Sequence, residues 1–202
     1  MKKTLWTMAA MATFFSYSVN AAVTVNEPAP DFSLTDTHGN THNLSDFKGR
    51  FVVLEWINHG CPFVVKHYKE GHMQALQREY AEKDVVWLAI CSSATGEQGH
   101  MSNDDWNATN EKNGTAVAAV LIDEDGTVGR KYGARTTPHM YVINPEGVLI
   151  YQGAIDSKRS TDPADIAHSE NYVRSALDQA MAGEPVATSQ TQPYGCSIKY
   201  KK

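Results

Sequence analysis

The most informative segment of the sequence is Trp56-Ile57-Asn58-His59-Gly60-Cys61-Pro62-Phe63-Val64-Val65-Lys66-His67. The apolar run that leads into it, residues 50–57 (RFVVLEWI), is rich in valine and aromatic residues and predicts a β-strand. After Pro62 the apolar residues follow a helical period. A proline suits the first turn of a helix, because the N–H that it lacks has no intrahelical partner there. The pattern therefore places Cys61 at a strand-to-helix junction.

A cysteine at this kind of junction is a candidate nucleophile. The unpaired N–H groups of the first helical turn and the positive end of the helix dipole both stabilise a thiolate. Such positions lower the pKa of a thiol from roughly 8.5 to about 3.5–7.5. The alternative interpretation is that Cys61 is a buried, unreactive cysteine in a turn.

The composition indicates one globular domain. The chain has 202 residues, of which 42% are hydrophobic, and a net charge of −5. Because the sequence after the N-terminus has no basic stripe, we expect no nucleic-acid partner. We also expect no cofactor and no bound metal.

The N-terminus predicts export. Lys2 and Lys3 precede an apolar run at residues 5–15, and small residues then lead to Ala21. This run is too short for a membrane span, which needs about twenty apolar residues. We therefore expect a signal peptide at 1–21, cleaved near Ala21, with no transmembrane segment. The product would be a periplasmic or secreted domain over 22–202, with 184–202 as its C-terminal tail.

The remaining chain alternates apolar runs with helical patterns, which predicts a mixed α/β sheet with helices on both faces. Functional groups of such sheets gather beyond the carboxyl ends of the strands. Strands are predicted at 51–57, 85–91, 116–122, 139–143 and 148–152, and helices at 62–83 with a kink at Gly71, 102–113, 126–132 and around Val173, Leu177 and Met181.

Several motifs together resemble the thioredoxin superfamily. They are Trp56-x4-Cys61-Pro62, Thr137-Pro138 before a strand, and the final hairpin and helix. Pro28-Ala29-Pro30-Asp31-Phe32 and Gly195-Cys196-Ser197-Ile198-Lys199 are similar to the peroxiredoxin-like (redoxin, AhpC/TSA type) group with a single active-site cysteine. The resemblance implies a thioredoxin-like mixed β-sheet flanked by helices, with a peroxiredoxin-type N-terminal extension.

The resemblance also implies thiol redox chemistry, with Cys61 as the nucleophile. The expected function is an exported thiol-disulfide oxidoreductase or a peroxiredoxin-like antioxidant protein. Val64 stands where a thioredoxin has its second cysteine, and Asn58 stands where a peroxiredoxin has threonine or serine. The Asn58 departure argues against peroxide reduction, and the resemblance supports thiol redox chemistry more than any particular substrate. The expected partners are a protein or small-molecule thiol or disulfide and an unidentified electron donor.

The resemblance further implies a cis peptide bond between Thr137 and Pro138. This bond would place the Thr137 backbone beside Cys61, where it would bind a substrate strand. Cys196 is the expected resolving thiol, or else it forms a static disulfide with Cys61. We expect its tail to be anchored by one short junction with the last helix and to move over the site. Cys91 is expected to be an ordinary buried cysteine.

Five further residues are candidates for supporting the site: Trp56, His59, Pro62, Arg135 and His139. The two histidines would approach the sulfur and raise its thiolate fraction. With Cys61 and Cys196 they would alternatively bind a soft metal, which suggests a second function, a non-catalytic binding module for copper(I). Arg135 would stabilise a thiolate or bind an oxyanion, or else is a solvated loop residue. The acidic segment with Asp156, Asp162 and Asp165 is expected to be a solvated loop.

Overall fold

The computed structural model describes residues 23–202, so the predicted signal peptide lies outside the described residues. Its centre is a sheet of seven strands. These are β1 (Ser33–Asp36), β2 (Thr41–Asn43), β3 (Val52–Trp56), β4 (Val86–Cys91), β5 (Ala119–Ile122), β7 (His139–Ile143) and β8 (Leu149–Gly153). Two short strands, β6 (Thr136–Thr137) and β9 (Cys196–Ser197), pair separately.

The strand order is β2-β1-β5-β4-β3-β7-β8. The three central strands β3, β4 and β5 are parallel, and every residue of β3 and β4 is buried. Both faces of a parallel sheet are normally covered, so its strands are continuous apolar runs. The hairpin of β7 and β8 extends one edge, and the N-terminal hairpin of β1 and β2 extends the other, all with antiparallel pairing. The predicted α/β, thioredoxin-like fold is confirmed.

In residues 23–202 five α-helices flank the sheet: α1 (Pro62–Tyr68), α2 (His72–Ala81), α3 (Asn103–Asn113), α4 (Thr127–Tyr132) and α5 (Tyr172–Met181). The prediction of one helix over 62–83 is wrong. Gly71 has a φ of +79°, which separates α1 from α2 instead of kinking one helix. Met181 is 38% exposed, so the predicted apolar face of α5 is narrower than its spacing indicated.

Alternate residues of β3 point to opposite faces of the sheet and divide the core in two. Val53 packs with α1, α2, α3 and α5, in the same cluster as Cys61. Leu54 and Trp56 pack on the other face with Val128 and Tyr132 of α4. Within residues 23–202, no helix is both long and apolar enough to cross a membrane.

The end of the chain is bound to the domain along its length. We call residues 189–201 the strap. It begins beside β8, where the amide of Thr191 donates to the Gln152 carbonyl at 3.0 Å. It then passes β6, and the Ala94 amide donates to the Lys199 carbonyl at 2.9 Å. The expectation of a tail anchored only at its junction with the last helix is wrong for this segment.

Candidate thiol site

Cys61 lies at the start of α1, as the sequence predicts. It occupies the residue before the first helical turn, in extended conformation, and Pro62 begins the helix. The Cys61 side chain has no exposed surface. Its amide donates to the Asn58 carbonyl at 2.9 Å, which fixes the loop that connects β3 to α1. The nucleophile candidate is therefore held rigidly and is covered.

The Thr137–Pro138 peptide bond is cis, and it lies against the sulfur. The Cys61 thiol donates to the Thr137 carbonyl, with 3.0 Å between the sulfur and the oxygen. The Thr137 hydroxyl is buried and has no hydrogen-bond partner among the described residues. The expected position of this loop beside Cys61 is confirmed.

The strap brings Cys196 to the same point. Strand β9 pairs with β6 so that Cys196 lies opposite Thr137, and the Cys196 amide donates to the Cys61 sulfur at 3.4 Å. Gly195 permits this approach, because a Cβ atom there would lie 2.0 Å from the Thr137 oxygen. All three cysteines are thiols in this structure.

The surroundings give the two thiols opposite pKa shifts. Burial alone would raise the pKa of Cys61, but hydrogen bonds from the Cys196 thiol, the Cys196 amide and the Val64 amide outweigh it and lower the pKa. Burial raises the pKa of Cys196 to about 11, and its hydrogen bond to Cys61 adds to that effect. Cys61 is therefore the more acidic thiol of the two, as a nucleophile should be.

Most of the predicted supporting residues do not touch the sulfur. Trp56 packs on the opposite face of the sheet, where its indole N–H donates to the Ser92 hydroxyl at 3.0 Å. The His59 ring packs on Tyr68, with 5.3 Å between the ring centroids. Burial lowers the pKa of His59, so its ring is uncharged near neutral pH.

His139 follows the cis proline but has other partners. Its Nδ1 accepts from the Arg135 amide at 3.3 Å and lies 3.2 Å from the Tyr141 hydroxyl. Burial lowers the pKa of His139 to about 3. Neither His59 nor His139 is hydrogen-bonded to Cys61 in the described chain, so the prediction that they activate the sulfur is not supported. Arg135 is exposed.

The described residues contain no group of three or more His, Cys, Asp or Glu side chains arranged to hold a metal. The copper(I) hypothesis needs a histidine beside the two cysteines, but in the part of the chain that the structure describes neither candidate ring is hydrogen-bonded to Cys61. The His59 Nε2 is buried and has no hydrogen-bond partner among the described residues. Cys91 is buried, and its thiol donates to the Gly99 carbonyl at 3.4 Å. Burial raises the pKa of Cys91, which makes it a poor nucleophile.

A buried ion pair next to the site was not predicted from the sequence. Lys66 of α1 and Asp156 are both buried, with 2.8 Å between Nζ and the carboxylate, and Tyr194 of the strap donates its hydroxyl to the same carboxylate. The expectation that Asp156 is solvated is wrong. The two charges are 90 residues apart in sequence, so no local pattern indicates that they meet. Asp162 does lie in an exposed loop, where it accepts from the Ala164 amide.

Glu55 was also missed, although a single carboxylate within the apolar run of β3 is a signal that could have indicated it. Its side chain is fully buried and accepts from the Trp87 indole at 2.8 Å and from the Tyr68 hydroxyl at 2.9 Å. Burial raises the pKa of Glu55 to about 7. The carboxyl group therefore titrates near neutral pH.

The site as a whole presents one acidified thiol, a second thiol in contact with it, and a backbone edge that already pairs with an extended strand. This arrangement fits a protein class that exchanges disulfides. Residues 25–152 match the AhpC/TSA family. The chain belongs to this family, within the thioredoxin superfamily. The match ends before the strap begins.

Similar proteins agree with this assignment. The chain is 28% identical over 144 residues to the thioredoxin-like protein YneN of Bacillus subtilis, covering 69% of this chain and 78% of that protein. It is 27% identical over 137 residues to the thiol-disulfide oxidoreductase ResA of Bacillus cereus, covering 67% and 73% of the two chains. The crystal structure of an uncharacterized conserved protein from Geobacillus kaustophilus is 30% identical with a TM-score of 0.75, covering 88% and 93%.

Proposed function

We propose that this protein is a thiol-disulfide oxidoreductase in which Cys61 is the nucleophile and Cys196 is the resolving thiol. The observation that carries the proposal is the direct contact of Cys196 with the Cys61 sulfur, at 3.4 Å from the amide nitrogen. The lowered pKa of Cys61 and the similarity to a thiol-disulfide oxidoreductase support the same assignment. The substrate class is a thiol or disulfide of a protein or small molecule.

The reaction takes place in two exchanges. The Cys61 thiolate attacks one sulfur of the substrate disulfide, so a mixed disulfide forms and the other substrate sulfur leaves as a thiolate. The Cys196 thiolate then attacks the Cys61 sulfur, a Cys61–Cys196 disulfide forms, and the second substrate thiolate leaves. The substrate gains two electrons and the protein loses two. An external dithiol returns the protein to its reduced form.

The pKa of Cys196 favours this order of events. Burial raises the pKa of Cys196 most, and the hydrogen bond to Cys61 and the charge of its thiolate raise it further. Once Cys61 carries the substrate in a mixed disulfide, that charge is gone. Cys196 then loses its proton more readily, so the resolving thiol becomes more reactive after the first exchange.

We further propose that the protein works outside the cytoplasm. The charge and apolar pattern of residues 1–21 support export. An oxidising compartment would also supply disulfide substrates. Detection of a mature chain beginning near residue 22 in the extracytoplasmic fraction, by N-terminal mass spectrometry, tests this point. A chain that retains residues 1–21 in the cytoplasm would contradict it.

Reaction with an aromatic disulfide, dithiobis-nitrobenzoate, tests the roles of the two cysteines. We expect the reduced protein to release one coloured thiolate in the first exchange and a second when Cys196 resolves it. Cys196→Ser should release only the first and keep the other as a mixed disulfide at Cys61, visible by mass spectrometry. Cys91→Ser is the matched control and should behave as the unaltered protein. Full release by Cys196→Ser would exclude Cys196 as the resolving thiol.

A further inference from the structure

The strap lies directly against the nucleophile, where the Cys196 amide donates to the Cys61 sulfur. Cys61 has no exposed surface, and the strap residues next to it pair with the cis-proline loop, Thr136 with Ser197 and Thr137 with Cys196. A disulfide from solution therefore cannot reach the sulfur while these contacts hold. The contacts that keep the strap in place accordingly determine whether Cys61 can react.

Tyr194 anchors this part of the strap to the domain. It is buried, and its hydroxyl donates to the Asp156 carboxylate. Its ring packs edge-on against Phe63, with 5.7 Å between the centroids, and Phe63 lies two residues after Cys61. One side chain thus joins the strap both to the helix of the nucleophile and to a buried charge.

The Asp156 carboxylate is itself fixed. It lies 2.8 Å from Lys66 Nζ and accepts from the Lys158 amide at 3.0 Å and from the Ser169 hydroxyl at 3.3 Å. Lys66 Nζ also donates to the Lys158 carbonyl at 2.8 Å. A buried charge with this many partners cannot turn towards solvent without losing several hydrogen bonds. Asp156 is therefore a rigid acceptor for the Tyr194 hydroxyl.

We propose that Tyr194 is a positioning residue, which through the buried Lys66–Asp156 pair holds Cys196 on Cys61 and closes the nucleophile to solvent. This role deepens the proposed function and depends on it for the resolving step. With Tyr194 in place, the first exchange can occur only when the strap opens. The second exchange is fast because the docked strap holds Cys196 beside Cys61. Loss of the Tyr194 contact should therefore raise the rate of the first exchange and lower the rate of the second.

Tyr194→Phe tests this positioning role, because it removes only the hydroxyl oxygen of the side chain. A hydrogen bond to a charged group stabilises by an amount that corresponds to about ten- to a hundredfold in an equilibrium constant. We expect the alkylation rate of Cys61 by iodoacetamide, and the first release from dithiobis-nitrobenzoate, to rise by about that factor. The second release should become slower. Unchanged rates, or rates that change in the same direction, would overturn the proposal.

Two controls separate local release from general loosening. Tyr80→Phe removes a tyrosine hydroxyl that also donates to an aspartate, Asp178 at 2.7 Å, in the contact between α2 and α5. We expect it to leave Cys61 as slow to alkylate as before. Cys91, buried elsewhere, reports on unfolding in the same sample. If Tyr194→Phe raises the alkylation rate of Cys91 as much as that of Cys61, the tyrosine has only a general stabilising role and the proposal is wrong.

The outcomes for the proposal and for the proposed function are distinct. Alkylation of Cys61 needs no resolving thiol and no natural substrate. If the unaltered protein makes the first release without the second, the resolving role of Cys196 fails, whatever Tyr194→Phe does. If both releases occur and Tyr194→Phe alters neither, the function stands and the positioning role of Tyr194 is excluded.

Discussion

Gly195 is the position at which a single methyl group should detach the strap from the cis-proline loop. Its φ is +141°, in a region that side chains other than hydrogen rarely adopt. A Cβ atom would lie 2.0 Å from the Thr137 oxygen and 2.7 Å from its carbonyl carbon. Both atoms belong to the backbone, so neither can swing aside. The docked strap therefore cannot accept Gly195→Ala without moving.

The expected cost follows from two terms. Left-handed backbone costs a residue with a Cβ about 1–2 kcal/mol, and overpacking a closed contact costs about 1–3 kcal/mol. Together they reach about 2–5 kcal/mol. A hydrogen bond to a charged acceptor, such as that of Tyr194 to Asp156, contributes about 1.5–3 kcal/mol. The cost of the clash at Gly195 is therefore as large as the stabilisation that this hydrogen bond gives the docked strap. We expect the strap to open locally around Gly195 while the seven-stranded sheet remains folded.

The assay is the alkylation rate of Cys61, read by mass spectrometry beside amide hydrogen exchange of the strap. Gly195→Ala should raise the alkylation rate of Cys61 and the hydrogen-exchange rate of the strap amides, while Cys91 stays protected from alkylation. Gly147→Ala is a matched control, because Gly147 has a φ of +81° but nothing within 4 Å of its Cβ position. It carries backbone strain without the clash and should leave Cys61 protected. If Cys61 is alkylated as slowly in Gly195→Ala as in the unaltered chain, the strap does not control access to Cys61.

Two further predictions concern the buried charges. Because the pKa of Glu55 is raised from 4.5 to about 7, the unfolded chain binds fewer protons between those pH values, and stability should fall by about 3 kcal/mol as the pH rises through them. Glu55→Gln should remove that slope in urea titrations from pH 4 to 8; a slope that persists would exclude Glu55 as its source. Lys66→Met should destabilise by about 3–5 kcal/mol, since it leaves Asp156 buried without its cation. Lys83→Met, which breaks the exposed pair with Glu79, should change stability by less than about 1 kcal/mol, and equal effects would contradict the buried-pair account.

The fold was predictable because its signals are local. The runs that form β3 and β4 are apolar except at Glu55, and Gly-Cys-Pro and Thr-Thr-Pro mark where elements begin. The break at Gly71 was predicted at the right residue. It was predicted as a kink and not as the end of a helix, because a glycine can cause either. The positive φ that the surrounding structure imposes at Gly71 ends α1 and allows α2 to begin in a new direction.

The site was predictable only in part, because half of it depends on contacts between distant residues. Cys61, Pro62 and the Thr137–Pro138 bond follow from motifs. The pairing of Lys66 with Asp156 and the anchoring of Tyr194 depend on tertiary structure and have no periodic pattern. His59 and His139 lie near Cys61 in sequence or in the fold, yet their rings turn to aromatic and backbone partners. Nearness to a motif therefore did not predict which side chains touch the sulfur.

The source of the second thiol separates this site from that of a thioredoxin. Val64 occupies the place of the second thioredoxin cysteine and is buried. The thiol that contacts Cys61 comes instead from a segment 135 residues further along, paired to the cis-proline loop as an extended strand. Two thiols on one helix stay together in every state of the protein, whereas a thiol on a separable strand is present only when that strand is docked. Under the proposed function, the docking of the strap therefore controls two things at once: access to Cys61 before the first exchange and the rate of the second. The contacts of Tyr194 and Gly195 then matter to the chemistry as much as the acidity of Cys61 does.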